Sequence, residues 1–225
     1  MGEAPRQRHF IAQAWLVILL ALLYGGGLAI VQTALSGRIA ENRRNETYTV
    51  IPTLAPGADK SKTTEVLIRG KDGKDVLLYR AMGADEIPVG WVVPAGGQGF
   101  ADRIEILIGL DAAASSITGL YVLDQKETPG LGDYITGEAF RNRFRHRPTE
   151  RPLVVVKSDP TGDNEIQALT GATISSESVS GIVNAALDNL KAPLRRWVPE
   201  DGRQDEGEAP ESRSTEAPGN EERGD

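Results

Sequence analysis

The longest hydrophobic run of the chain lies near its amino terminus. Residues 10–37 contain no charged side chain and few polar ones. About 20 helical residues cross a hydrocarbon core of about 30 Å, so the run is long enough to span a membrane. It exceeds the roughly 7–15 apolar residues of a cleaved signal peptide. We therefore predict a short tail over residues 1–9 and a single transmembrane helix over residues 10–37.

Short runs of β-branched or alternating residues predict strands in the middle of the chain, since Gly, Pro and Asp bound each run. The predicted strands are residues 75–80, 87–93, 103–111, 116–124 and 153–157. Only residues 112–115 separate the third run from the fourth. A link this short cannot make a parallel crossover, so these two strands are predicted to form an antiparallel hairpin.

Two later segments have helical patterns. Residues 136–146 form the weaker one, and residues 176–190 the stronger. Apolar residues recur in the latter at i, i+3, i+4, i+7, i+8 and i+11, which gives one stripe for packing on a sheet. The stripe consists of Val179, Ile182, Val183, Ala186, Leu187 and Leu190. The sequence thus predicts an α+β domain over residues 75–198, with a mixed, largely antiparallel sheet, joined to the transmembrane helix by a connector over residues 38–74.

Charge is concentrated at the carboxyl end of the chain. The formal net charge is −7, and residues 200–225 alone hold ten acidic residues and three Arg. The remainder is therefore formally neutral. The acidic segment has no apolar residue larger than Ala, so a disordered tail is predicted over residues 199–225. The body shows no basic stretch with interleaved aromatics, so nucleic-acid binding is not expected.

The composition limits the chemistry that the chain can perform. It contains no Cys and two widely separated His. Disulfides, thiolate nucleophiles and Cys-ligated zinc or iron–sulfur clusters are therefore excluded for this chain. Redox chemistry would need an organic cofactor. We predict no catalytic residue and no metal ligand.

The segment LTGATISSES places a cluster of hydroxyls before the strongly predicted helix. Backbone N–H groups lack partners at a helix start, and the helix dipole favours negative charge there. One interpretation is N-capping by Ser175 or Ser176. The other is phosphate binding near Thr173, because Gly171 and Ala172 let the backbone approach a ligand closely. A nucleotide P-loop is excluded, since no G-x-x-x-x-G-K-[ST] pattern is present.

A second motif, KETPGLGDYI, follows the fourth predicted strand. Pro129 fixes φ, and Gly130 and Gly132 permit unusual backbone angles, so a rigid turn is predicted. Taken with ALTGATISSESVSGIVNAAL about 40 residues later and one membrane span, the chain resembles the FMN-binding G subunit of the Rnf ion-translocating electron-transport complex. The C subunit of the sodium-translocating NADH:quinone reductase shares the later motif. The resemblance covers residues 89–190 and the anchor.

The resemblance implies a covalent flavin. In that family an external flavin transferase takes the FMN half of FAD and attaches it, through a phosphoester, to the last threonine of D-x-x-[ST]-G-A-T, which is Thr173 here. It implies that Thr170 and Ser175 or Ser176 donate hydrogen bonds to the phosphate. Gln167 stands in the place of the motif aspartate, which predicts weaker recognition by the transferase.

The resemblance also implies a flavin environment and a function. Glu127, Thr128, Leu131 and Gly132 would line the flavin, with Leu131 against a ring face and Thr128 or a backbone amide at the ring edge. The chain would be an electron carrier, with no catalysis of its own, beside iron–sulfur and other membrane subunits. It would lie in the bacterial cytoplasmic (inner) membrane with its flavin domain on the periplasmic side. The flanking charges leave this orientation open.

Two other functions stay open. The chain could be a membrane-anchored regulatory or assembly protein that carries the same flavin domain outside an ion-translocating complex. It could also be a purely structural domain that never holds flavin, with Gln167 as the mark of that loss. Covalent flavin remains on the protein in denaturing electrophoresis and is detected by its fluorescence. A fluorescent band therefore excludes the purely structural domain, which would hold no flavin.

Overall fold

The computed structural model describes residues 6–197, so the predicted acidic tail lies outside the described residues. A helix of 49 residues, α1 (Arg6–Leu54), opens this part of the chain. At about 1.5 Å per residue it is about 73 Å long. By length and composition its part from Ala14 to Leu54 can cross a membrane. From residue 14 to residue 46 every side chain is exposed.

The helix continues well beyond the predicted span. A connector was expected over residues 38–74, but α1 extends to Leu54, and a strand, β1 (Thr64–Arg69), follows within the same interval. Packing explains the extension, because Ile51 and Leu54 are almost fully buried against the sheet. Tertiary contacts of this kind supply most of the stability of protein helices.

The main sheet has six antiparallel strands in the order of the chain. They are β1 (Thr64–Arg69), β2 (Asp75–Met82), β3 (Pro88–Gln98), β4 (Arg103–Asp111), β5 (Ser116–Asp124) and β6 (Arg147–Pro148). β4 and β5 form the predicted hairpin, with Ile108 opposite Leu120. Two short strands, β7 (Val154–Val156) and β8 (Glu165–Gln167), form a separate parallel pair. The predicted α+β fold class is confirmed.

The helices after β5 differ from the predicted ones. The helix predicted over residues 136–146 is wrong, since only α2 (Glu138–Arg141) is α-helical there, between 3₁₀ turns at Gly132–Thr136 and Asn142–Phe144. Gly137 has extended angles, φ −66° and ψ 143°, which separate the first turn from α2. The last helix, α3 (Thr173–Trp197), starts three residues before its predicted start and runs beyond its predicted end.

Helices cover both faces of the sheet. Side chains of a strand alternate between faces, and in β4 the residues Ile104, Ile106 and Ile108 belong to the core that α3 covers. The predicted apolar stripe of α3 packs into this core. On the opposite face Leu107 packs with Ile51 of α1. The sheet is therefore the middle layer between α3 and the last part of α1.

Candidate functional site

An open cavity of about 310 Å³ lies at one end of the sheet. At this end β3 and β5 finish and β4 begins, and we call it the loop end. Three segments surround the cavity: the turn over residues 99–102, the loop after β5 and the first turn of α3. Its lining residues are Phe100, Thr128, Leu131, Gly132, Gly171, Ala172, Thr173, Ile174 and Ser175. The volume is near the lower limit of the usual range for small-molecule sites, about 300–1,000 Å³.

The start of α3 brings to the cavity wall backbone amides that have no hydrogen-bond partner among residues 6–197. The N–H of Ser176 donates to the carbonyl of Ala172 at 3.1 Å, which makes Ala172 the residue before the first helical turn. The amides of Thr173, Ile174 and Ser175 precede this first intrahelical bond. Capping by Ser175 or Ser176 is therefore wrong, because both serines lie inside the first turn. Three amides and the helix dipole favour an anion here.

The two serine hydroxyls are already engaged within the protein. Ser176 Oγ accepts from the N–H of Leu169 at 3.0 Å and donates to the carbonyl of Ala172 at 2.9 Å. Ser175 Oγ donates to Glu127 Oε2 at 2.5 Å. The structure thus directs both hydroxyl protons away from the expected phosphate. Ser175 lines the cavity and Ser176 does not.

Two threonine hydroxyls remain near the start of α3. Neither Thr170 nor Thr173 makes a side-chain hydrogen bond to another described residue. Thr173 is half-buried and lines the cavity, whereas Thr170 is exposed and lies outside the lining. Of the hydroxyls expected at the phosphate, only that of Thr173 is both at the cavity and unengaged.

Glu127 lies behind the cavity wall instead of lining it. Its side chain is 4% exposed. Oε2 accepts from Ser175 Oγ, and Oε1 accepts from the N–H of Ala101 at 3.0 Å. One buried carboxylate thus joins all three segments that surround the cavity. A Cβ at Gly132 would lie 2.7 Å from Ser175 Oγ, so this position leaves no room for a side chain.

A second glycine keeps the cavity open. Gly171 has φ +81°, a left-handed conformation that other residues rarely adopt. A Cβ there would also lie 3.0 Å from Leu131 Cδ2. Any larger residue would strain the backbone and press on the opposite wall.

Apolar side chains are exposed around the cavity, where they are free to contact a flat aromatic ligand. Phe100 is 58% exposed, Ile174 54% and Leu131 45%. Thr128 lies beside them and is exposed. Leu131, Thr128 and Gly132 were expected at this site, but Phe100 and Ile174 were not. A single apolar residue in a turn or in a first helical turn carries no pattern that would predict a ligand contact.

No Lys, Arg, Asp or Glu of the described part of the chain lines the cavity. An ion pair lies nearby, between Lys126 Nζ and Asp102 Oδ2 at 3.4 Å. The N–H of Arg103, and then Lys126, lower the pKa of the Asp102 carboxyl, because both stabilise its charged form. Charge compensation for an anion in the cavity would therefore come from backbone amides.

The strand before the hydroxyl cluster is held by side chains. Arg143 Nη1 donates to the carbonyls of Gln167 and Ala168 at 2.5 and 3.1 Å. Gln167 Nε2 donates to Asp159 Oδ1 at 3.0 Å. A carboxylate thus lies next to Gln167, although Gln167 itself is uncharged.

Comparisons with known proteins assign this region to a described family. Residues 99–188 match the family of the FMN-binding domain. The chain is 30% identical to the G subunit of the ion-translocating oxidoreductase complex of Methanosarcina acetivorans, over 77% of this chain and 86% of that protein. It is 34% identical to the G subunit of the Na⁺-translocating ferredoxin:NAD⁺ oxidoreductase complex of Acetobacterium woodii, over 59% of this chain and 63% of that protein.

A solved structure has the same fold. The crystal structure of Shewanella oneidensis NqrC superposes with a TM-score of 0.60 and covers 69% of this chain and 98% of its own. The two sequences are 15% identical, so the likeness concerns the fold alone.

Proposed function

The chain belongs to the family of G subunits of ion-translocating oxidoreductase complexes, and from this membership we propose that it carries electrons through FMN within such a complex. Other subunits of the complex are then its partners. FMN, when bound, supplies the redox chemistry, and the protein supplies position and surroundings. The described residues suit this task, since the cavity combines unpaired amides with exposed apolar side chains.

The cofactor is proposed to be attached to Thr173. The observation that carries this proposal is the unengaged Thr173 hydroxyl at the cavity wall, beside the first amides of α3. In the attachment, Thr173 Oγ bonds to the phosphorus of the FMN half of FAD. The bond between that phosphorus and the oxygen of AMP breaks, and AMP leaves with the hydroxyl proton. No electrons are transferred in this step, and an external flavin transferase performs it.

The remaining residues have proposed roles in holding the attached group. The amides of Ile174 and Ser175 face the phosphate charge. Thr170 donates a further hydrogen bond to the phosphate after rotation of its exposed side chain. Phe100 and Leu131 contact the ring system, and Thr128 lies at the ring edge. Ser175 acts through Glu127 on the shape of the site instead of donating to the phosphate.

The membrane arrangement is also a proposal. The uncharged part of α1 forms a single span in the cytoplasmic membrane, and the domain lies on the outer, periplasmic side. The exposed apolar surface of α1 from residue 14 onward supports the span, since water would not favour it. The orientation is inferred from the family resemblance.

The attachment is tested by mass spectrometry of the chain produced together with a flavin transferase. The intact protein should gain the mass of one FMN minus water. Thr173→Ala should abolish this gain, whereas Thr173→Ser, which keeps an oxygen, should retain part of it. Thr170→Ala is the matched control, because it removes a neighbouring hydroxyl and should leave the gain in place.

Two outcomes contradict the proposal. A full adduct on Thr173→Ala would place the acceptor elsewhere. If the chain with its own sequence never gains flavin but the Gln167→Asp variant does, the glutamine at residue 167 has disabled the site, and the chain is a structural domain.

A further inference from the structure

The helix α1 joins the proposed span to the domain without a break. Arg43, which contacts the domain, lies six positions after Gly37, the last residue of the uncharged run. At about 1.5 Å per residue these positions advance about 9 Å. Pro52 is the one proline inside α1 and lies almost at its end. Because α1 is continuous, the orientation of the span determines the direction and the rotation with which the helix reaches the domain. A flexible tether would not do this.

Arg43 holds two neighbouring strands at once. Its Nη1 donates to Glu105 Oε2 at 2.6 Å, and its Nη2 donates to Asp124 Oδ2 at 2.7 Å. Glu105 and Asp124 are opposite each other in the β4–β5 ladder. The planar guanidinium thus bridges a pair of carboxylates with fixed geometry. Both carboxylates lie at the loop end of the sheet.

A second contact, about two to three turns further along α1, is apolar. Ile51 and Leu54 are 0% and 1% exposed and pack with Tyr79 and Leu107. Thr118 Oγ1 donates a hydrogen bond to the carbonyl of Leu54. Two separated contacts on one rigid helix fix both its direction on the sheet and its rotation about its own axis.

The cavity lies at the same end of the sheet as Arg43. The turn that carries Phe100 connects β3 to β4, and the loop that carries Thr128 and Leu131 follows Asp124 directly. Because α1 reaches the sheet at this end, the flavin-bearing loops lie on the side of the domain from which the membrane helix arrives.

We propose that Arg43 is a positioning residue that, with the apolar contact of α1, holds the flavin-bearing loop end of the domain toward the membrane surface. The distance of the loop end from the membrane surface is set by the helical turns between the span and Arg43. The inference rests on the proposed span and flavin site, but its central claim, a fixed orientation, concerns α1 and the sheet alone. It can therefore fail or succeed independently of flavin attachment.

The test measures distances between spin labels in the full chain reconstituted in lipid nanodiscs. The chain has no Cys, so Ala34→Cys with Lys157→Cys gives one labelled pair that spans α1 and the domain. Lys74→Cys with Lys157→Cys gives a control pair within the domain. In the chain that carries only the two labelled cysteines of each pair, the two distance distributions should have similar widths.

Charge reversal then tests Arg43 itself. Arg43→Glu should broaden the distribution of the spanning pair at least twofold and leave the control pair unchanged. Adding Glu105→Arg and Asp124→Arg should restore the narrow distribution. Arg38→Glu, on the same helix but without an ion pair among the described residues, should change nothing. Flavin content should stay constant throughout, because none of the substituted residues lines the cavity.

Two results would overturn the inference. A broad spanning-pair distribution in the unmodified chain would mean that α1 does not fix the domain. An unchanged distribution in Arg43→Glu would mean that Arg43 does not position it. Repeating the measurement in Thr173→Ala keeps the outcome separate from the proposed function, since no flavin is then attached.

Discussion

At the scale of single residues, the hydrogen bond between Ser175 and Glu127 is the contact on which the shape of the cavity depends. Glu127 is a buried carboxylate, and burial of a charge is costly unless hydrogen bonds compensate it. Its donors are Ser175 Oγ and the N–H of Ala101. Loss of either donor leaves part of this buried carboxylate uncompensated.

We predict that Ser175→Ala lowers the free energy of unfolding by about 1–3 kcal/mol, the usual cost of leaving a buried polar group without its partner. Thermal unfolding measures the effect. A reduced yield of attached flavin should accompany it, because the start of α3 is then less firmly held against the loop after β5.

Ser180→Ala is the matched control for this substitution. Ser180 lies on the same helix and is 2% exposed, but its Oγ has no hydrogen-bond partner among the described residues. Removing that hydroxyl should leave stability nearly unchanged or raise it. Equal losses in the two variants would show that Ser175 contributes only by packing.

Some of these residues could be predicted from sequence and others could not. Thr173 and Gly171 lie in a local motif, so their neighbourhood at the start of a helix is visible in the sequence. The contact between Ser175 and Glu127 joins residues 48 positions apart. Side chains this distant leave no local pattern, and for the same reason Phe100 was not predicted at the cavity.

At the scale of elements, the close contact between α1 and β4 depends on a missing side chain. A Cβ at Gly109 would lie 2.7 Å from Thr118 Oγ1 and would collide with the carbonyl oxygen of Leu54. We predict that Gly109→Ala destabilises the domain by about 1–3 kcal/mol, as overpacking commonly does. Chemical unfolding followed by tryptophan fluorescence provides the measurement.

Gly181→Ala makes the same chemical change where there is space. Gly181 lies in α3, and beyond the adjacent helix backbone a Cβ there would have no atom of the described residues within 4 Å. Alanine in a helix interior is favoured over glycine by about 0.5–1 kcal/mol, so this variant should be slightly more stable. If Gly109→Ala were equally harmless, the end of α1 would not be packed as closely as described.

The elements with strong periodicity were predictable. The β4–β5 hairpin followed from two alternating runs and a link too short for a crossover, and α3 followed from its apolar stripe. The continuation of α1 after residue 37 was missed, because its stability comes from packing on strands that lie far along the chain. β1 was missed as well, since Glu65 and Arg69 flank an apolar centre of only three residues.

At the scale of the whole molecule, the proposed orientation predicts accessibility to protease. Protease added to intact spheroplasts should digest the domain from about Arg38 onward. A periplasmic marker protein and a cytoplasmic one serve as controls for the integrity of the cells. Digestion only after lysis would place the domain on the cytoplasmic side.

The seating of Leu54 on β5 also has a consequence for the order of events during synthesis. The residues joined by the hydrogen bond from Thr118 to Leu54 are 64 positions apart, and the ribosome makes the helical one first. Earlier strands cover part of the apolar end of α1, but its cover is complete only when five strands have been produced and paired. Until then its exposed apolar surface favours aggregation. If α1 inserts and the domain is exported, as proposed above, this interval passes beside the membrane, and a chaperone is then most useful before β5 has been made.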